Sequence, residues 1–273
     1  MKNKVHRLVI AALILGLSAG CYKVPVTGRR AVDLVSDADV TRMSIAEFNN
    51  LKARYPLSRN RDQIDALNRV GERLARVVFW DMPSAEWEFV VFEVPNQINA
   101  FAMAGGKVGV FSGLFRIIDN DDQLASVIAH EIAHVTARHV HERLSQQMLV
   151  EGGGIAGSVA MMGSGAGALT TSAVLQAYGI STGAQVLAFD RKKELESDLI
   201  GLIYMARAGF NPEEALRVIE QLEAETAGTP VPPPWLSTHP SNPERMLQMI
   251  DEMPKALEIY RKSGRQAVPI LVQ

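Results

Sequence analysis

The run His130-Glu131-Ile132-Ala133-His134 constrains this chain more than any other stretch. It lies inside a segment with helical periodicity. On a helix, residues four apart are separated by about 40° around the axis, one turn up the same face. Two imidazoles stacked in this way can grip one Zn²⁺, and the glutamate between them can polarise a water held beside the ion. The pattern points to zinc-dependent peptide hydrolysis.

A pair of histidines at this spacing can also sit on an exposed helix face. Three features argue against that here. The motif falls mid-helix, and Ile128, Ala129, Ile132, Ala133 and Val135 surround it with apolar side chains. Polar groups among such neighbours need a partner to offset desolvation. A third donor is also present downstream.

A catalytic zinc takes three protein ligands and keeps one position for water. No histidine occurs between His141 and His239, and the longer H-E-x-x-H-x-x-G-x-x-H pattern is absent. The third donor is therefore expected to be a carboxylate. Glu194 and Glu196 are the candidates. They lie about 200° apart on a helix, so only one can face the metal. Glu194 shares its face with Asp198, which can accept a hydrogen bond from His130 or His134 and hold the site in shape. The expected ligand set is His130, His134 and Glu194, binding one Zn²⁺ per chain. Glu131 is the expected general base. His139 and His141 are read as a solvated helix end.

The rest of the chain fits a globular enzyme. Of its 273 residues 47% are hydrophobic, enough for a sizeable core, and the net charge of −2 gives no pull toward nucleic acid. The N-terminus differs. Lys2, Lys4, His6 and Arg7 precede an uncharged apolar run from Leu8 to Leu17, then Ser18-Ala19-Gly20 and Cys21. This has the shape of a secretory signal over residues 1–20, with a core too short for an ordinary membrane span. Cys21 is the only cysteine, which excludes an intrachain disulfide. Small residues before a lone cysteine resemble a bacterial lipobox, which implies a lipid on Cys21. Tyr22 in place of an aspartate favours the outer membrane by analogy.

Residues 21–35 read as a tether with a turn at Thr27-Gly28. Helices are expected from Ser36 to about Tyr55 and from Asn60 to Val78, the second with Ile64, Leu67, Val70 and Leu74 on one stripe. Strands follow at Trp87 to Val94, Ile98 to Met103 and Val108 to Phe111, the last two around a Gly105-Gly106 turn. One long helix is then expected from Asp122 to Met148. Residues 152–189 carry no charged side chain and are dense in glycine. Glycine costs about 1 kcal/mol against alanine in a helix, so a flexible segment, lid or loop, followed by a helix from Thr171 to Tyr178 is favoured there over a membrane hairpin. Further helices are expected from Asp190 to Ala208, from Asn211 to Ala224 and from Asn242-Pro243 to Met253. After Pro254 a tail made of a short helix and an exposed end is expected.

Taken together, H-E-x-x-H, Glu194-x-x-x-Asp198 and Thr238-His239-Pro240 resemble the HtpX/BepA/LoiP-type zinc endopeptidases, relatives of the CAAX prenyl protease. Val26-Thr27-Gly28-Arg29, Asn99-Ala100-Phe101 and Gly113-Leu114 also match. One departure is Met103-Ala104-Gly105-Gly106, where many relatives have a proline before the two glycines. The resemblance spans Val24 to Met253 and favours the periplasmic lipoprotein branch. It implies an α+β, mainly helical, gluzincin-like fold with a small β-sheet next to the H-E-x-x-H helix. It places the metallopeptidase domain at residues 36–253 and the C-terminal tail at residues 254–273. It implies His239 on a loop near the metal, either stabilising an oxyanion or capping the ion in a latent state. It further implies unfolded or misassembled envelope proteins as substrates, an outer-membrane lipoprotein facing the periplasm, and outer-membrane assembly machinery as a partner. A non-catalytic assembly lipoprotein with a latent or structural zinc is the competing expectation. An edge strand at Asn99-Ala100-Phe101 would pair with an extended substrate backbone.

Overall fold

In the computed structural model the described residues are 21–151, 178, 190–226, 234–240 and 243–263. The expectations for the signal (1–20), for the glycine-rich stretch except Tyr178 and for the end beyond 263 lie outside them.

The order is β1 (Cys21–Lys23), β2 (Arg30–Val32), α1 (Asp37–Arg54), α2 (Arg61–Val77), β3 (Glu88–Phe92), β4 (Ala100–Met103) and β5 (Lys107–Phe111). A 3₁₀ turn (Ser112–Arg116) leads to α3 (Asp121–Thr136), α4 (His139–Glu151), α5 (Arg191–Arg207), α6 (Glu214–Thr226), α7 (Pro234–Thr238) and α8 (Pro243–Lys262). This is the expected mainly helical fold with small sheets.

The caps start the helices where the sequence puts them. Asn60 accepts from the N–H groups of Asp62 and Gln63, and Asn120 from that of Gln123 at 2.9 Å. These satisfy donors that a helix start leaves orphaned. Asp190 does the same for α5 through the Lys193 N–H at 3.1 Å. At the other end of α5, Gly209 takes φ +77°, the left-handed conformation that glycine adopts without strain.

Helix α3 is the centre of the molecule. Leu124, Ala125, Ile128, Ala129, Ile132 and Ala133 are all buried, and α2, α5, α6 and β4 pack around them. A bidentate Arg69–Asp121 pair at 2.7 and 2.8 Å fixes α2 to its first turn. The main sheet has the order β3-β5-β4, with β3 parallel and β4 antiparallel to β5. The β4–β5 hairpin turns on Gly105 and Gly106 at φ +82° and +79°, as the paired glycines predict. A second core sits between α1 and the sheet, where Phe48, Phe92, Phe101 and Phe111 meet mainly edge to face. Tyr178 closes it: its hydroxyl lies 3.0 Å from Ser44 Oγ and accepts from the Ala104 N–H at 2.8 Å.

Three expectations change. The stretch read as a tether forms the β1–β2 hairpin, and its Val24 and Ala31 enter the main core. The single long helix after Asp122 breaks at Arg138, whose φ is +55°. Such a backbone in a non-glycine residue costs on the order of 1–3 kcal/mol. The Arg138 guanidinium pairs with Asp33 and Asp37 and lies 4.3 Å from the Tyr22 ring centre, contacts that secure the break. Finally, α8 does not stop at Met253 but continues through Pro254 to Lys262. Proline removes one backbone hydrogen bond there, and burial of Met249, Met253 and Ala256 holds the helix together across it.

Candidate metal centre

His130 and His134 lie on the face of α3 that meets α5, and both are buried. The two helices approach closely because residue 201 is glycine: a Cβ there would lie 3.2 Å from the His130 backbone nitrogen. That approach brings the first turns of α5 over the two imidazoles. Glu194, 1% exposed, sets Oε1 3.3 Å from His134 Nε2 and Oε2 3.4 Å from His130 Nε2. His239, just after α7, adds Nδ1 at 3.3 Å from His130 Nε2 and 3.0 Å from Glu194 Oε1. One donor atom from each of these four residues lies within 4.8 Å of all the others.

This donor set fits a cation. His130 Nδ1 lies 3.0 Å from Asp198 Oδ1, so it carries the ring proton and Nε2 turns a lone pair inward. The Nε2 atoms of His130 and His134 are 3.1 Å apart. Buried lone pairs and a carboxylate at such distances repel unless a proton or a metal ion lies among them. Glu194 Oε2 is buried without a hydrogen bond, although Arg245 Nη1 is 3.1 Å away.

Without an ion, the electrostatics favour a proton in its place on His130. Burial works against a charge on His130, but Asp198 and Glu194 outweigh it and carry its pKa up to about 9. Burial drives the pKa of His134 well below that of free imidazole. Burial also opposes the Glu194 carboxylate, yet His239, His130 and His134 hold it well below the usual range.

The ring partner of Asp198 is His130. Its second partner is Arg245, through bonds of 2.7 Å from Nε and from Nη2. Arg245 is 1% exposed and also donates to the carbonyls of His239 and Pro240 at 3.3 and 3.2 Å. It therefore fixes the His239 segment and the carboxylates of α5 together. The sequence reading missed it; the only signal was an arginine just after the Asn242-Pro243 helix start.

Glu131 lies on the same turn of α3, 4% exposed. Its Oε1 accepts from Trp235 Nε1–H at 2.8 Å and lies 3.4 Å from His239 Nε2. The indole is tilted against the His239 ring, with centroids 5.0 Å apart. The Trp235 backbone N–H reaches the Ile98 carbonyl at 3.3 Å, just before β4. Trp235 was also missed.

His139 and His141 are not a solvated helix end: they are 0% and 3% exposed. His141 Nε2 lies 3.2 Å from Asp37. His139 Nδ1 lies 3.0 Å from His134 Nδ1, and its Nε2 lies 3.0 Å from Glu196 Oε2. Glu196 thus points away from the four-donor cluster, as its angular separation from Glu194 requires. Burial raises its pKa, but His139, Arg29 and Thr27 bring it down to about 2.

Residues 62–253 match the family described as peptidase family M48. The mitochondrial metalloendopeptidase OMA1 of Saccharomyces cerevisiae is 37% identical over 183 residues, 65% of this chain and 50% of that protein. OMA1 of Schizosaccharomyces pombe is 30% identical over 264 residues, 93% of this chain and 74% of that protein. The beta-barrel assembly-enhancing protease of Escherichia coli is 31% identical over 257 residues, 90% of this chain and 51% of that protein. The chain spans about half the length of the S. cerevisiae and E. coli relatives.

Proposed function

The chain belongs to peptidase family M48, and from that premise we propose that it is a zinc-dependent endopeptidase acting on misfolded or misassembled proteins of the bacterial cell envelope. The observation that carries this reading is the convergence of His130, His134 and Glu194 on one buried point, with Glu131 beside it. His130, His134 and Glu194 would hold the zinc. When bound, the ion would supply a water of pKa about 7 and Lewis acidity toward the scissile carbonyl. Glu131 takes the proton from the attacking water and returns it to the leaving amine. Asp198 keeps His130 in the tautomer that presents Nε2.

His239 has two roles in this proposal. With its Nδ1 among the other donors it fills the place a substrate or water needs, and a site with four protein donors is closed. Its segment must swing out for catalysis, after which the imidazole is available to stabilise the oxyanion. The described arrangement is thus the resting one. Strand β4 is at the edge of the sheet order but all four of its residues are buried, so an extended substrate would pair with it only after the elements that cover it move aside.

The rest follows the resemblance. Residues 1–20 would be a signal, Cys21 the lipidated N-terminus and residues 36–253 the peptidase domain. The protein would face the periplasm from the outer membrane, near the assembly machinery that the E. coli relative's name invokes. Among the described residues no helix is long and apolar enough to cross a membrane. The competing reading, a non-catalytic assembly lipoprotein, draws on the same closed site, since a structural zinc is also fully ligated. Retention of Glu131 favours catalysis, because a structural ion needs no general base.

The deciding experiment is cleavage of unfolded casein by wild type and by Glu131→Gln, with zinc content measured on both. The expected result is equal zinc and a loss of cleavage of about 10²–10⁴-fold. Equal cleavage by both, or none by wild type under any condition, overturns the enzyme reading.

A further inference from the structure

We propose that His139 and Glu196, anchored by Thr27 and Arg29 of the N-terminal hairpin, are positioning residues that fix the tautomer and orientation of the metal-facing His134. This rests on the zinc centre proposed above.

The chain of contacts is continuous. Thr27 Oγ1 donates to Glu196 Oε1 at 2.6 Å, and Arg29 Nε donates to Oε2 at 2.8 Å. Arg29 is itself held by Glu142, whose oxygens accept from Nη1 and Nη2 at 3.2 and 3.1 Å. Glu196 Oε2 lies 3.0 Å from His139 Nε2. A carboxylate only accepts, so His139 must carry its proton on Nε2. Its Nδ1 is then an acceptor, and it faces His134 Nδ1 at 3.0 Å. Ser197 Oγ is farther from His139 Nδ1, at 3.3 Å, and two lone pairs facing at 3.0 Å would repel, so His134 donates from Nδ1 and keeps its Nε2 lone pair for the cation. The proton positions follow in sequence from one carboxylate.

The backbone is built for this contact. In an unbroken helix, residues five apart are separated by about 140° around the axis, so residue 139 could not reach residue 134. The left-handed Arg138 breaks the helix between them and swings His139 back. The same hairpin that supplies Thr27 and Arg29 also meets the break, for Tyr22 packs under the Arg138 guanidinium. In the hairpin turn Val26 has φ +63°, rare for a β-branched residue, and the Gly28 N–H closes on the Val24 carbonyl at 2.9 Å. The strained turn presents Thr27 to Glu196.

His139→Leu and His139→Asn separate positioning from packing. Both replace the ring with a short side chain, but asparagine keeps an acceptor near the position of Nδ1. Zn²⁺ affinity is measured on the full chain by competition with a chromophoric chelator, with circular dichroism of the metal-free forms as the folding control. The expected result is a loss of Zn²⁺ affinity of about 10–100-fold for His139→Leu, with most of it recovered in His139→Asn. Glu196→Ala, which removes the carboxylate that sets the His139 tautomer, shifts affinity in the same direction. Equal affinities for the leucine and asparagine variants, whether at the wild-type level or equally reduced, overturn the proposal and leave the zinc centre standing. If His139→Leu does not fold, Glu196→Ala decides: a folded variant with wild-type affinity overturns it. Wild type that takes up no Zn²⁺ overturns the metal centre and the relay with it.

Discussion

Glu131 can act as a base only if an oxygen is free to take a proton, and the Trp235 indole N–H now lies 2.8 Å from Oε1. A hydrogen bond to a charged group is worth about 1.5–3 kcal/mol, so a proton taken up at Oε1, one of the two carboxylate oxygens, must displace the indole or work against it. Trp235→Phe keeps a ring against His130 and His239 but removes the donor. The expected outcome is faster casein cleavage, on the order of tenfold, with zinc content unchanged. Slower cleavage at equal zinc would mean that the indole orients the base rather than restraining it. The reason Trp235 escaped sequence reading is physical. His130, Glu131 and His134 announce themselves through spacing on one helix, and Glu194 can be told from Glu196 by the face it shares with Asp198. Trp235 and Arg245 reach the same point from α7 and α8, and no local periodicity encodes that approach. His139 was misread for a related reason: on a straight helix it faces away from His134, and the break that turns it back depends on Asp33 and Asp37.

At the scale of elements, the site is the crossing of α3 and α5. Gly201 sets how close they come, since the nearest atoms to a Cβ at that position are the His130 backbone nitrogen and Cα at 3.2 and 3.3 Å. Neither is the flexible end of a side chain, so Gly201→Ala must push the helices apart by a few tenths of an ångström. Alanine gains up to about 1 kcal/mol of helix propensity over glycine, which offsets part of the strain. The expected outcome is a small change in thermal stability with a clear fall in Zn²⁺ affinity, because Glu194 is carried off with α5. Calorimetry and chelator competition on the same sample check it; unchanged affinity would show that α5 moves freely relative to its carboxylate. The boundaries of α1, α2 and α5 were legible because Ser36, Asn60 and Asp190 are strong caps and Gly209 a strong stop. The end of α8 was not, because Pro254 is a local stop signal that tertiary burial of Met253 and Ala256 overrides.

For the whole molecule, the four-donor cluster joins segments far apart in the chain: α3, α5 and the His239 segment, with the N-terminal hairpin behind them through Glu196 and His139. Charges gathered this way are a liability when the cation is gone. Glu194 Oε2 is buried without a hydrogen bond, with Arg245 Nη1 3.1 Å away, and the inward Nε2 atoms of His130 and His134 are 3.1 Å apart. Zinc that binds only the folded chain stabilises it by mass action, about 4.1 kcal/mol at a thousandfold excess over Kd. For a chain of this size that corresponds to roughly ten degrees in Tm. Stripping with a chelator should therefore lower the wild-type Tm by about that amount, and zinc should restore it. His130→Ala, which removes one ligand, should melt low and respond to neither addition. If wild type melts at the same temperature with and without chelator, the four donors do not bind the ion tightly enough to hold these segments together. A drop shared equally by His130→Ala would place the bound ion somewhere else in the chain.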